Sequence, residues 1–264
     1  MNTELSLPAR ALAEGLGAGM LVTAVVGSGI AAQQLSPGDV GLQLLENSTA
    51  TALALVALIL TFGPVSGAHL NPAVTLAERL TGKIDTRTAA AYVGAQVAGG
   101  CLGAVAANVM FELPAIDWST TDRASGAHVF AEVVATFGLL IVIFGVVHSG
   151  RAAAVPVAVA GYIGAAYWFT SSTSFANPAV TVARTLSDSF AGIAPASVAA
   201  FLAAQLVGAL AAVGVAQVLF PPAADPSLEE ALDARSQLVE PRPAPGDAGG
   251  HEEPDRRVRR HVLD

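Results

Sequence analysis

The chain has 264 residues, of which 53% are hydrophobic and only 13% charged, and its mean hydropathy is +0.58. A soluble domain carries about 25% charged residues, so this composition excludes an ordinary water-soluble globule and points to a protein solvated by lipid. The formal charge of −8 is uneven, because residues 221–264 hold ten acidic and six basic side chains and so −4 of it; no basic stripe with interleaved aromatics supports a nucleic-acid partner.

Residues 1–8 read as a short cytoplasmic lead. The first apolar stretch, Ala9–Ala32, starts with a single basic residue, Arg10, and holds Glu14 in its interior. Secretory apolar cores run about 7–15 residues, so this longer stretch reads as a retained span. A membrane helix needs about 20 mainly apolar residues, and five further segments qualify: Ser48–Val65, Thr88–Met110, Ala127–His148, Ala152–Ser171 and Ala194–Phe220. Glycines cluster within them, as at Gly15, Gly17 and Gly19 or Gly99, Gly100 and Gly103, and small residues let helix backbones approach closely in lipid. Cys101, the only cysteine, excludes an internal disulfide and a multi-cysteine metal site; in its apolar run it reads as a small core residue.

Lys and Arg in the short loops set the orientation. Residues 33–47 have none, 79–87 hold Arg79, Lys83 and Arg87, and the connection 111–126 holds only Arg123 beside Glu112, Asp117 and Asp122. This predicts both termini in the cytoplasm of a multi-pass protein of the inner or plasma membrane, with 111–126 outside. The segment 221–264, rich in Pro, Ala, Asp and Glu, reads as a disordered cytoplasmic tail. Its Arg256-Arg257-Val258-Arg259-Arg260 run reads as either solvated or touching anionic lipid.

Internal repetition organises the rest. Asn71-Pro72-Ala73-Val74-Thr75 recurs as Asn177-Pro178-Ala179-Val180-Thr181, and the order Glu14, Asn71, Gln96 recurs as Glu132, Asn177, Gln205. Two repeats therefore span 9–110 and 127–220. Three spans per repeat, an odd number, invert the second relative to the first. The seventh residue after each asparagine is already charged, Glu78 and Arg184. At 1.5 Å per residue that is about 12 Å, under half of a bilayer core of about 30 Å. Half-helices are predicted over 71–80 and 177–186. Asn serves as N-cap and Pro as first residue, and the two positive ends, each roughly half a charge, meet near the midplane. Irregular backbone at that depth must be buried or line a cavity. The amides of Asn71 and Asn177 can donate to a passing oxygen, which implies a pore.

These motifs, with SGAHLNPAVT over 66–75, resemble the aquaporin and aquaglyceroporin superfamily over about residues 9–220. The resemblance implies an all-α hourglass fold of six transmembrane helices and two re-entrant half-helices in two inverted three-helix repeats. It also implies a homotetramer in the lipid bilayer, no cofactor or metal, and passive conduction of water and small neutral solutes. Glu14 and Glu132 match glutamates that hold loop backbone in this family, with Gln96 and Gln205 beside them; a proton relay is the competing reading. The family's outer constriction falls, by counting from the motifs, on Thr51, Ala165 (or Gly164), Ser174 and Val180. Most members have arginine directly after the second NPA, where this chain has Val180. A wide, uncharged filter is therefore expected, unless Arg184, four residues on and on the same face, reaches back. Members with this valine are similar to bacterial channels associated with arsenic resistance, which implies undissociated arsenite, glycerol and water as solutes.

Two rival readings use the same features. A secondary transporter also has inverted repeats and broken helices but normally carries intramembrane charge for coupling. A non-conducting scaffold would share the fold without flux. An enzyme finds no support, since His69 and His148 stand with no legible nucleophile–base pair.

Overall fold

A computed structural model describes residues 5–221, and the tail assigned above to 221–264 lies outside them beyond its first residue. Among the described residues eight α-helices follow in order: α1 Leu7–Leu35, α2 Val40–Ser66, α3 Pro72–Leu80, α4 Thr86–Met110, α5 Gly126–His148, α6 Val155–Phe169, α7 Pro178–Ala183 and α8 Pro195–Leu219. A 3-10 turn, Ala152–Ala154, leads into α6, and another, Arg184–Leu186, continues α7. No strand occurs among the described residues. Six of the helices are long and apolar enough to cross a bilayer. The other two, α3 with nine residues and α7 with six, are not.

The helices begin where the sequence chemistry allows it. Proline occupies the first turn of α1, α3, α6, α7 and α8, where its missing N–H is not needed. Asp85 and Ser125 cap α4 and α5 through their side chains. One start differs from the sequence reading: α2 opens at Val40, not Ser48. Asp39 caps it by accepting from Leu42 N at 2.9 Å. The polar run that hides this turn from a hydropathy scan is satisfied by its neighbours. Gln43 Nε2 donates to the Ser36 carbonyl, Ser36 Oγ to Glu46, and Asn47 Nδ2 to the Val25 carbonyl and to Ser28 Oγ.

The two halves share one plan: long, long, short, long. Helix α1 packs on α4 and α2 as α5 packs on α8 and α6; α2 and α6 meet across the halves. Each half-helix rests against the last long helix of both halves, α3 on α4 and α8, α7 on α8 and α4. Three crossings per half place α3 and α7 on opposite faces of the bilayer.

Helices α1 and α4 touch backbone to backbone. A Cβ at Gly99 would land on the Gly15 carbonyl oxygen, and one at Gly103 on that of Gly19. Thr23 Oγ1 stitches the crossing by donating to the carbonyls of Gly19 and Gly103, at 2.9 and 3.0 Å. In the second half Gly208 plays the same part, with Val133 O 2.6 Å from where its Cβ would be. Overpacking a close site costs about 1–3 kcal/mol and more where backbone must shift. Gly103→Leu is expected to remove the monodisperse peak in size-exclusion chromatography, whereas Gly94→Leu, with open space around it, keeps it.

Candidate functional site

Both Asn-Pro-Ala segments fold the same way. Asn71 and Asn177 are the N-caps of α3 and α7, with Pro72 and Pro178 as first helical residues. Asn71 Oδ1 accepts from Ala73 N at 2.8 Å, and Asn177 Oδ1 accepts from Ala179 N at 3.0 Å and Val180 N at 3.2 Å. The side-chain amides then cross over. Asn71 Nδ2 donates to the Ala176 carbonyl at 2.8 Å, and Asn177 Nδ2 donates to the Leu70 carbonyl at 2.9 Å. An amide NH₂ has two donors, so each asparagine keeps one for the space it faces.

The loops entering these tips are strained in matching places. Ala68 and Leu70, three and one residues before Asn71, have φ of 46° and 49°; Ser174 and Ala176, in the same places before Asn177, have 49° and 47°. Such values cost non-glycine residues roughly 1–3 kcal/mol each, so something must hold them. Glu14, fully buried, accepts from Ser66 Oγ, His69 N, Leu70 N and Gln96 Nε2 at 2.6–2.9 Å. Glu132, also fully buried, accepts from Phe175 N, Ala176 N and Gln205 Nε2 at 2.7–2.9 Å. Gln96 and Gln205 each donate again, to Thr75 Oγ1 and Thr181 Oγ1 at 3.0 and 2.9 Å. The residues paired by order in the sequence are therefore paired by bonding.

A cavity of about 630 Å³ runs past both asparagines. Leu21, Val25, Leu55, Val159 and Ile163 give it apolar walls, and one end is bordered by Glu78 and Lys83, ion-paired at 2.8 Å. Thr51, Ser174 and Val180 line it as well. Ala165 does not: it is exposed on the outer surface of α6, and neighbouring Gly164 packs against Ala52. This corrects the counted position. Helix α6 turns Ile163 and Tyr167, one turn apart, to the cavity, and Tyr167 Oη sits 3.1 Å from Thr51 Oγ1. Arg184 lines the same cavity, so the lining expected to be small and uncharged includes an aromatic and a cation. Among the described residues no three His, Cys, Asp or Glu side chains stand close enough to hold a metal.

A family profile described as Major intrinsic protein matches residues 2–171, well over half of the chain. The chain belongs to the major intrinsic protein family. This major intrinsic protein is 48% identical over 220 residues to "Aquaglyceroporin AqpS" of Rhizobium meliloti (strain 1021), covering 83% of this chain and 94% of that one. It is 29% identical over 192 residues to "Aquaporin NIP6-1" of Arabidopsis thaliana, covering 71% and 62%. Its fold is similar to the X-ray structure of the aquaglyceroporin from Plasmodium falciparum, with a TM-score of 0.63 and 22% identity over 82% of this chain and 98% of that chain. Membership makes it a multi-pass membrane channel for water and small solutes, and not an enzyme.

One residue of this major intrinsic protein escaped the sequence reading. Arg123, counted only as a loop charge, plugs into the loop around the second half-helix. Its Nε donates to the Gly192 carbonyl at 2.8 Å, Nη2 to that of Phe190 at 3.3 Å and Nη1 to that of Ser172 at 3.4 Å. The loop 111–125 thereby lies across the exit of α7, where Asp117 N and Ser119 N also donate to the carbonyls of Leu186 and Thr185. A lone arginine in an otherwise acidic loop was the available hint.

Proposed function

We propose that the cavity is the conduction path for uncharged, hydroxylated solutes: glycerol-like polyols, undissociated metalloid hydroxides such as arsenite, and water. The observation that carries this reading is the cavity wall. Asn71 and Asn177 each aim one free amide hydrogen into a shaft whose remaining length is mostly aliphatic, with Thr51, Tyr167 and Ser174 as further polar points on its lining. A polyol satisfies both surfaces, with its C–H edge on Leu21, Val25 and Val159 and its hydroxyls accepting from the amides. The name of the Rhizobium relative supports a glycerol-conducting channel. Val180, shorter than arginine and uncharged, leaves room beside the second tip for a solute larger than water.

The same reading places the protein as a homotetramer in the inner or plasma membrane, with 111–126 outside and both termini in the cytoplasm. Exposed apolar side chains on α1, α2 and α8, such as Leu12, Leu53 and Leu210, are available to lipid or neighbouring subunits.

Stopped-flow light scattering on purified protein in liposomes tests the proposal. Water, glycerol and arsenite are each expected to enter faster than into empty vesicles, with flux linear in concentration. Saturating or ion-coupled flux would identify a transporter, and flux no faster than in empty vesicles would identify a non-conducting scaffold.

A further inference from the structure

Val180 leaves the place after the second Asn-Pro-Ala without a charge, yet a cation four residues on also lines the cavity. Arg184 opens the 3-10 turn after α7, and its side chain is only 1% exposed. Its guanidinium lies on Phe175, with Cζ 3.4 Å above the ring centroid. Nε donates to the Ala191 carbonyl. The two terminal nitrogens have no hydrogen-bond partner among the described residues, and Arg184 lines the cavity.

The neighbouring arginine makes the contrast. Arg123 reaches the same ring, its Cζ 5.2 Å from the centroid, but all three of its guanidinium nitrogens are occupied by carbonyls. Arg184 has no carboxylate either, because the only ion pair among the described residues is Lys83–Glu78, on and just after the other half-helix. A buried charge without a partner is costly, and the face of Phe175 offsets only part of that cost. Bracing the Ala191 carbonyl needs a donor and not a net charge. The charge itself therefore calls for a role, and Arg184 lines the path.

We propose that Arg184 is the fixed cation of the outer constriction and the residue that excludes protons and alkali cations, one helical turn from where Val180 stands. This rests on the cavity being the conduction path. Four residues place Arg184 about 6 Å along α7 from Val180. A side chain as long as arginine spans that distance, and at a few ångströms a unit charge in protein surroundings raises a cation's barrier by far more than thermal energy.

The test uses wild-type and variant protein in liposomes, reading glycerol flux by stopped flow and sodium and proton leak by entrapped dyes. Wild type is expected to pass glycerol and exclude both cations. Arg184→Met is expected to raise the ratio of cation to glycerol flux on the order of tenfold or more, while Arg184→Lys, which keeps charge but loses the flat stack, keeps the ratio low. Val180→Arg added to Arg184→Met is expected to restore exclusion. An unmoved ratio in Arg184→Met overturns the assignment, as does equal leak in the Lys and Met variants or cation flux through wild type. Should Arg184→Met fail to assemble, Ser174→Asp decides with Arg184 still in place. A carboxylate on that lining position, whose left-handed backbone aspartate tolerates, cancels the field and must raise the cation ratio; an unmoved ratio there overturns the assignment. Failure of the conduction path itself shows differently, as wild-type vesicles that swell no faster than empty ones.

Discussion

Replacing Glu14 with leucine is expected to leave no folded channel to purify. The carboxylate accepts four hydrogen bonds, and two come from backbone amides, His69 N and Leu70 N, that have no other partner within reach. Serine and glutamine side chains can turn away; backbone amides flanking a strained residue cannot. A buried donor left unpaired costs about 1–3 kcal/mol, so the two amides alone lose about 2–6 kcal/mol. The released strain at Ala68 and Leu70 then favours a different loop. Native stabilities are about 5–15 kcal/mol, so little or none remains. Glu14→Gln keeps one acceptor oxygen and should fall between. Thermal unfolding followed by size-exclusion chromatography reads the order wild type, Gln, Leu. A leucine variant that melts within a few degrees of wild type would remove the scaffold role from this residue. Glu132→Leu should behave alike, since Phe175 N and Ala176 N depend on it in the same way.

Val180→Arg should act on flux and spare the fold. Val180 lines the cavity beside Asn177, and its backbone is already tied by the cap. Arginine there narrows the cavity that Thr51 and Tyr167 also line and adds a second cation to the one at Arg184. Glycerol and arsenite permeability should fall by about tenfold or more, the scale of a single steric misfit in a close-fitting site, with water reduced less. Stopped-flow rates of the three solutes in one vesicle preparation give the comparison. Glycerol and arsenite rates equal to wild type would mean that the constriction lies elsewhere.

The parts of this architecture that were legible in the sequence are those in which local chemistry and global placement agree. Asn-Pro both opens a helix and, with seven residues following, limits its reach, so α3 and α7 could be read directly. The order Glu, Asn, Gln, twice, gave the partners of each loop. What could not be read depends on contacts between distant segments. The first two turns of α2 look too polar for a span because Gln43, Glu46 and Asn47 find their partners on α1 and its exit. Helix α6 is apolar on all sides, so no periodicity says which face is inward; counting through the loop chose Ala165, and the packing chose Tyr167. The role of Arg123 lies in carbonyls about fifty to seventy residues away, which no local pattern announces.

The exchange of bonds between Asn71 and Ala176, and between Asn177 and Leu70, has a bearing on biogenesis. Either asparagine completes its set only when the other segment has arrived, a hundred residues later or earlier in synthesis. A nascent chain stalled midway therefore owns half an aperture and no barrel to enclose it. The two tips are therefore locked to each other only once residues 70–71 and 176–177 are both in place.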